Sequence, residues 1–541
     1  MPFAFKMYRM YSQELLASIS ANQRRVTTFN VNDDPLEMQR LHSVLGPRTL
    51  LGGATLMADL LGGVDPELRQ QRQESVDELR ADSTTREALT SGLSAVAQNE
   101  RGLLDFLDGR TDRYTVPRRF YNAARAGVRV ITDLAEAVDT SKIETPLLKS
   151  TLESLAGYAD SDDAKFAVGK VYLTPAGLRP HDSAWRWLPP TRLAYRGSSI
   201  TGRGLLVGLT SYGALLISKG DTNQAAAVTE ATQQAANVLP DWQIALGLSG
   251  VMSAGVAAMV NNTGDAIHGP MFIDPVRKRW QADAGLGQAF ADYSELDVLQ
   301  SFANFATVTE RNGHDVYQPV VESSDSPYIR ADGLKNPILA FTRPANQVTP
   351  NDFELTGMTM LTGPNSGGKS TTLKAVLHSQ ALAEAGGPVV ADSFATTPAD
   401  FMHYMVPGAP NLVDETGRFG YELGELRTVF ERATPHSLIG LDDCMDGTTH
   451  QERIEILGDI VRGFDTIGGR TVFSTHATEL VQQSAQNGIG QQVQVEFKDG
   501  EPTYRIIPGV STTSHADRVA RIVGMDRDAI QASLRARGYV E

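Results

Sequence analysis

Residues 358–371 read M-T-M-L-T-G-P-N-S-G-G-K-S-T, an apolar run followed by a glycine-rich loop. The run has the length and composition of a buried strand. The loop has the spacing G-x-x-x-x-G-K-[ST], in which glycines let backbone N–H groups turn inward around phosphate oxygens. A helix that begins at the end of the loop would point its positive end at the same phosphates. The stretch therefore predicts a strand, a P-loop and a helix, in that order.

The loop supplies the candidate nucleotide-binding residues, which are Gly363, Pro364, Asn365, Ser366, Gly367, Gly368, Lys369, Ser370 and Thr371. Lys369 is expected to reach the β- and γ-phosphates of ATP, and the Ser370 hydroxyl is expected to ligate Mg²⁺. A glycine-rich turn that binds nothing is the alternative interpretation. The strand before the loop and the helix after it favour the nucleotide site.

Two further apolar strands end in polar residues. Residues 437–443 read S-L-I-G-L-D-D, and residues 471–476 read T-V-F-S-T-H. Asp442 is expected to hold Mg²⁺ through water, and Asp443 to orient or deprotonate the water that attacks the γ-phosphate. His476 is expected to contact the γ-phosphate, because the carboxyl ends of parallel strands gather at one ligand crevice. The alternatives are two acids that cap a turn and a structural histidine.

Short β-type runs alternate with helices from residue 316 to residue 541. Strands are predicted at 358–362, 389–392, 402–406, 437–442 and 471–475, helices at 369–385, 422–433 and 451–464, and a hairpin that pairs 493–497 with 503–507. The tail from residue 514 is predicted to be helical. This alternation predicts an α/β domain with a largely parallel sheet covered by helices.

The pattern before residue 316 is mainly helical. Residues 41–315 predict a helical domain built as an extended arm, and residues 1–40 form a separate N-terminal segment. Within the helical part, residues 294–306 carry an apolar stripe and predict a helix capped by Ser294.

Composition narrows the class of protein. The chain has 541 residues, a formal net charge of −15 and one cysteine, Cys444. A single cysteine excludes an intramolecular disulfide framework and a cysteine metal cluster. The first residues show no secretory signal pattern, and we expect a cytoplasmic protein. Residues 204–218 and 244–260 are nearly free of charge, but both are shorter than the roughly 20 residues of a spanning helix. We interpret them as buried helices, with a membrane hairpin as the alternative.

The three site stretches together resemble the ATPase domain of the MutS family of mismatch-repair and recombination ATPases. The similarity rests on T-G-P-N-S-G-G-K-S-T, the acidic strand, and S-T-H-A-T-E-L at 474–480. Weaker similarities are found at 45–53, 296–303, 348–352 and 514–537. The resemblance implies an α/β P-loop ATPase domain of the ABC type over 316–541, with C-terminal helices, and a helical core and lever domain over 41–315. It also implies a homodimer in which each composite site borrows a signature loop from its partner.

The chain departs from the family pattern at three places. Asp443 stands where the family usually has Glu, and Val348 stands where it often has an aromatic residue that stacks on adenine. Residues 417–419 read G-R-F in place of Ser-Thr-Phe, so that Arg418 is expected near the partner's γ-phosphate. The shorter carboxylate predicts slow hydrolysis. The sequence also leads us to expect neither a mismatch-reading domain before residue 41 nor a nuclease-like domain after residue 541.

Two basic clusters with interleaved aromatic residues are candidates for DNA contact. The first contains Arg110, Arg113, Arg118, Arg119, Arg125 and Arg129, and the second contains Arg186, Arg192, Arg196 and Arg203. Solvated helix faces are the alternative. We interpret the chain as a dimeric ATPase that switches helical arms on duplex or branched DNA without reading mismatches. The rival function is an ATP switch that acts on a ribosome or protein complex, or one anchored to a membrane through residues 204–260.

Overall fold

The computed structural model describes residues 34–108, 117–169, 171–174, 177–180, 274–364, 367–407, 417–444, 450–499, 501–511 and 523–539. The chain forms two compact units. The first unit comprises residues 1–87, 141–150 and 294–541, and the second comprises residues 88–140 and 151–293. A helical N-terminal region and a mixed α/β C-terminal region are both present, which confirms the predicted fold class at that level. The predicted domain boundaries stay predictions.

Helices dominate the described chain up to residue 311. In chain order they are α1 (Met38–Leu45), α2 (Leu50–Gly62), α3 (Pro66–Ala81), α4 (Ser83–Leu107), α5 (Pro117–Glu136), α6 (Pro146–Asp160) and α7 (Asp162–Val168), then an antiparallel pair of β1 (Val171–Thr174) and β2 (Gly177–Pro180), then α8 (Asp274–Gln281) and α9 (Ala284–Arg311). None of the helices that the structure describes is both long and apolar enough to cross a membrane. Residues 204–260, which carry the membrane alternative, lie outside the described residues.

The predicted cap at Ser294 was wrong, because α9 begins ten residues earlier, at Ala284. The true cap is Asp283, whose Oδ1 accepts hydrogen bonds from the backbone N–H groups of Gly285 (2.9 Å) and Leu286 (3.2 Å). Ser294 is buried inside the helix. Two glycines in the first turn lower the helix propensity there, so the sequence did not predict that the helix begins at Ala284.

The first unit continues with strands and helices in alternation. In chain order they are β3 (Val320–Val321), β4 (Ile329–Leu334), α10 (Pro337–Thr342), β5 (Asn351–Leu355), β6 (Met358–Thr362), α11 (Lys369–Ala385), β7 (Ser393–Thr396), β8 (Met402–Met405), α12 (Gly417–Arg432), β9 (Leu438–Asp442), α13 (His450–Ile467), β10 (Arg470–Thr475), α14 (Thr478–Gln486), β11 (Gln491–Lys498), β12 (Glu501–Pro508) and α15 (Arg527–Ala536). The predicted β6, α11 and closing hairpin are confirmed. The strand predicted at 389–392 was wrong: Val389 makes only an isolated bridge to Tyr317, and the strand is β7.

The six-stranded sheet has the order β12-β11-β6-β10-β9-β8, and all neighbours are parallel except β11 and β12. A second sheet of four strands has the order β3-β7-β4-β5. In the large sheet Thr475 is aligned with Thr362, and Ser474 with Asp442. The carboxyl ends of β6, β9 and β10 therefore lie side by side, which brings the three site stretches to one edge of the sheet.

Arg470 links the two sheets at the opposite end of β10. Its side chain is fully buried, and its guanidinium donates to the carbonyl oxygens of Thr397 (2.9 Å) and His436 (3.0 Å) and to the Thr396 hydroxyl (3.1 Å). Because Thr396 and Thr397 are consecutive at the end of β7 and His436 lies in the loop before β9, one side chain satisfies buried acceptors from two segments.

Helix α11, which follows the glycine-rich loop, is buried on almost every side. The segment that leads into α1 packs on it: His378 Nε2 lies 2.6 Å from the Leu36 carbonyl oxygen, and Lys374 Nζ lies 2.7 Å from Glu37 Oε1. At its other end the Ala385 carbonyl oxygen accepts a hydrogen bond of 2.8 Å from Arg72.

Arg72 is the centre of a buried ion cluster that joins α2, α3 and α9. Its guanidinium makes two bonds of 2.7 Å to Glu295 and lies 2.8 Å from Asp59 Oδ2. Burial disfavours the charge of Arg72, but the two carboxylates raise its pKa above the ordinary value. Burial also raises the pKa of Asp59, to about 6, against the opposing pull of Arg72.

This pKa predicts a pH dependence of stability that Asp59→Asn removes. The folded state binds the Asp59 proton more tightly than the unfolded state does, so stability falls as pH rises through the window from about 4 to about 6. As the pH rises from 5 to 7, we expect the titration of Asp59 to lower the free energy of unfolding by roughly 1–2 kcal/mol. Urea denaturation at the two pH values measures it. In Asp59→Asn the difference should shrink by that amount, whereas Asp65→Asn, at an exposed position, should leave it unchanged.

Candidate functional site

The glycine-rich loop runs from the end of β6 to the start of α11. Gly363, Pro364, Gly367 and Gly368 are described, and Asn365 and Ser366 lie outside the described residues. Gly368 has φ +92°, and a Cβ there would lie 3.1 Å from Cδ1 of Tyr504. A residue with a side chain would therefore be strained in its backbone and crowded by the ring. Glycine lets the backbone turn directly into the helix, whose first turn contains Lys369, Ser370 and Thr371.

Lys369 turns its ammonium group back over the loop. Nζ lies 3.0 Å from the Gly363 carbonyl oxygen, 3.1 Å from His476 Nε2 and 3.4 Å from Asp443 Oδ2. The residue is only 4% exposed. Burial lowers its pKa below the ordinary value, although the carboxylate of Asp443 acts in the other direction. Internal partners thus hold the lysine at the place where the P-loop motif predicts a phosphate.

Asp443 has an unusual backbone conformation. Its φ is +47°, in the left-handed region that aspartate tolerates better than most residues, and its N–H donates to the Ser474 carbonyl oxygen at 3.0 Å. This turn places Oδ2 3.0 Å from His476 Nε2, as well as near Lys369. Burial would raise the pKa of Asp443, but the hydrogen bond with His476 and the charge of Lys369 outweigh it, and the pKa lies below its ordinary value. The carboxylate is therefore ionised at neutral pH.

Asp442 ends β9 with its side chain buried at 5% exposure. Its Oδ2 accepts a hydrogen bond of 2.8 Å from the Tyr404 hydroxyl, and its Oδ1 has no hydrogen-bond partner among the described residues. Burial, and then the neighbouring Asp442, raise the pKa of Tyr404, so its hydroxyl remains a donor. A buried carboxylate oxygen and the Ser370 hydroxyl are hard oxygen donors of the kind that Mg²⁺ prefers, and the residues present fit that ion.

A cavity of about 460 Å³ opens beside the loop. Its lining includes residues of the glycine-rich loop, Lys369 and Ser370 at the start of α11, and Asp443. Val348 and Tyr504 line the cavity as well. Val348 is buried and Tyr504 is 49% exposed. The cavity thus combines polar groups of the kind that bind phosphate with apolar and aromatic surface, a combination that suits a nucleotide.

Tyr504 was not anticipated from the sequence. Its φ is +61°, which is rare for a bulky residue, and it lies where the pairing of β11 with β12 shifts between Val495 and Phe497. Such a bulge re-aims a side chain. Asn351 holds the backbone of Tyr504 in place, because its Nδ2 donates to the Tyr504 carbonyl oxygen at 3.1 Å. Strand periodicity carries no signal for this bulge, so the sequence could not reveal the ring.

The structure brings together most of the predicted site residues at one edge of the sheet: the described part of the loop, Lys369, Ser370, Asp442, Asp443 and His476, with Val348 on the cavity wall. Arg418 lies in the first turn of α12, and its side chain is outside the described residues. Its predicted role across a dimer stays a prediction.

The basic clusters are only partly described. In α5, Arg125 donates to the Val168 carbonyl oxygen and lies 5.7 Å from the centre of the Tyr121 ring, and Arg129 is exposed near Asp133. The side chains of Arg118 and Arg119 are not described, and Arg110, Arg113 and the whole second cluster lie outside the described residues. Arg125 therefore has a packing role within the second unit.

Comparison with known proteins gives a family match for the C-terminal part of the chain. The profile of MutS domain V matches residues 359–538. The DNA mismatch repair protein MutS of Shouchella clausii is 31% identical over 279 residues, which cover 50% of this chain and 31% of that protein.

Two further relatives give the same picture. The MutS of Streptococcus thermophilus is 30% identical over 243 residues, which cover 43% of this chain and 28% of that protein. The MutS of Lactobacillus helveticus is 25% identical over 250 residues, or 45% of this chain and 29% of that protein. The chain thus spans less than a third of the length of these curated relatives.

Proposed function

We propose that this chain, which belongs to the MutS family, binds and hydrolyses ATP with Mg²⁺ as a homodimer. ATP binding and hydrolysis would switch its helical arms on duplex or branched DNA, without mismatch reading. One observation carries the nucleotide part. A single cavity combines the glycine-rich loop and Lys369 with an exposed aromatic ring, Tyr504. This combination supports a ligand that has both phosphates and a base.

Each group in the site has a role in this proposal. Lys369 would leave its internal partners and bind the β- and γ-phosphates. Ser370 and Asp442 would hold Mg²⁺, whose charge would offset that of the phosphates. Asp443 orients the attacking water, and His476 contacts the γ-phosphate. Because the carboxylate of Asp443 is one methylene shorter than that of glutamate, we expect slow turnover.

The base lies between Val348 and Tyr504 in this arrangement. Both residues line the cavity, and an aromatic face gives stacking energy to any base. Tyr504 would thus stack on the base, a role that the family resemblance assigns to an aromatic residue at position 348. Val348 offers contact area but no ring.

Lys369→Ala tests the nucleotide part. The variant loses hydrogen bonds from a charged donor, which are worth enough to lower ATP affinity by about 10- to 100-fold. Calorimetric titration with a non-hydrolysable ATP analogue measures the change. Lys498→Ala, whose side chain is 69% exposed on the closing hairpin, serves as the matched control and should bind like the parent. Equal affinity of Lys369→Ala and the parent would refute a nucleotide site at this loop.

DNA is the proposed partner because the relatives are named as DNA mismatch repair proteins. Binding through phosphates has a characteristic salt dependence: the logarithm of the affinity falls with the logarithm of the salt concentration by about 0.9 per phosphate contact. We expect a slope that corresponds to several contacts on both plain and branched duplexes. Fluorescence anisotropy between 50 and 200 mM salt, roughly the range over which such contacts weaken binding by orders of magnitude, measures it.

The same titration includes a duplex with one mismatch, for which we expect the affinity of the matched duplex. Preferential binding of the mismatch would overturn the prediction that the chain does not read mismatches. Binding that is absent, or that does not respond to salt, would instead favour the rival switch on a ribosome, a protein complex or a membrane.

In the proposed dimer, Arg418 would lie against the partner's γ-phosphate, where a guanidinium would stabilise charge in the transition state. An ion pair with Asp414 or Glu422 of its own chain is the alternative. Mixed dimers of one Lys369→Ala subunit and one Arg418→Ala subunit separate the two. A role across the interface puts both lesions in one composite site and leaves the other intact, so activity recovers to as much as half of the parent level. A role within the subunit leaves one lesion in each site, and the mixture remains inactive.

A further inference from the structure

We infer that Tyr404 is a positioning residue for the Mg²⁺ site: its hydroxyl fixes Oδ2 of Asp442 so that Oδ1 is presented to the cation and its water. The inference rests on the proposed function, because it assigns a task to Asp442 that only a nucleotide-bound cation requires. Its basis is the contact geometry of β8 and β9.

The contact between Tyr404 and Asp442 is short and buried. The hydroxyl oxygen lies 2.8 Å from Oδ2, and the two residues are 1% and 5% exposed. Without this bond Oδ2 would be a buried, charged acceptor with no donor, which is unfavourable. The bond therefore selects one orientation of the carboxylate. Oδ1 has no hydrogen-bond partner among the described residues, so it is the oxygen left for an external ligand.

The neighbouring strand is built to admit the tyrosine ring. Tyr404 pairs with Gly440 in the parallel register of β8 and β9, and Gly440 and Asp442 share a face because they are two residues apart. A Cβ at Gly440 would lie 3.1 Å from Tyr404 Cδ2 and 3.1 Å from Leu377 Cδ1. The missing side chain leaves the surface across which the ring extends to reach the carboxylate.

The Tyr404 ring is also held from the side of helix α11. Lys374 of α11 lies 5.7 Å from the ring centroid and is itself held by Glu37 at 2.7 Å. Tyr404 is thus confined between β9 and the helix that starts at the phosphate loop. A fixed ring gives a fixed hydrogen bond, which is how outer partners orient the residues that bind a metal.

Tyr404→Phe is the direct test, because it removes the hydroxyl and keeps the ring. Fluorescent ADP is titrated into the full chain at a series of Mg²⁺ concentrations and again in EDTA. We expect the Mg²⁺ concentration for half-maximal enhancement of ADP affinity to rise about 10-fold, the lower end of the range for loss of such partners. Affinity in EDTA should match that of the parent. Thermal unfolding gives a readout without turnover: the increase in Tm caused by Mg²⁺ with ADP should be smaller in the variant.

The matched control is Tyr293→Phe, which removes another buried hydroxyl that bonds a carboxylate, Glu100, at the same distance of 2.8 Å in the second unit. It should lower stability without changing the Mg²⁺ dependence. A second test combines Tyr404→Phe with Asp442→Asn. If the hydroxyl acts through the carboxylate, it should change the Mg²⁺ dependence no further in that background.

The outcomes separate the inference from the function on which it rests. If the parent binds no ADP under any condition, the proposed function fails. If the parent binds ADP in a Mg²⁺-dependent way and Tyr404→Phe shows the parent's dependence, the function stands and the inference fails. If Tyr404→Phe weakens binding equally in Mg²⁺ and in EDTA, the hydroxyl has only a structural role, which also overturns the inference.

Discussion

The site is organised around one charge in a place from which water is almost excluded. An ammonium group at 4% exposure carries a desolvation penalty of several kcal/mol unless neighbours compensate it. Lys369 receives part of that compensation from Asp443 and from carbonyl oxygens of its own loop, and burial still lowers its pKa. The aspartate in turn needs a left-handed turn after β9, and it shares its Oδ2 with His476 at the end of β10. One buried lysine thus contacts residues that directly follow three strands, β6, β9 and β10.

The internal partners of Lys369 would compete with a phosphate for its ammonium group. In the proposed function, the partners that hold Lys369 occupy the place of the bound phosphate, so nucleotide binding exchanges one set of contacts for another. The exchange releases Asp443 at the moment when a negative ligand arrives. An ionised carboxylate beside a polyphosphate is repelled unless a cation separates them, so the proposed role of Asp443 depends on the cation that Asp442 is proposed to hold.

The central strand, loop and helix were predictable because three signals agreed there. The apolar run, the glycine spacing and the following helix pattern gave β6 and α11 the same bounds in the sequence and in the structure. The two tyrosines were not predictable. Tyr504 depends on a bulge in a hairpin, and Tyr404 depends on β8 and β9 being neighbours although α12 separates them in the chain. Val389 shows the converse error, since an apolar run is buried whether or not it pairs as a strand.

The burial of α11 bears on how the chain can be divided. The family profile begins at residue 359, but the helix that follows its first strand is covered by segments far upstream, through Leu36 at His378 and Arg72 at Ala385. A fragment cut at the profile boundary would expose an imidazole and an apolar surface that the intact chain keeps dry, and exposed surfaces of that kind drive aggregation. The segment that matches the family profile is therefore not by itself a complete folding unit. A fragment meant to fold without the rest of the chain would therefore need residues 34–87 as well as the profile segment.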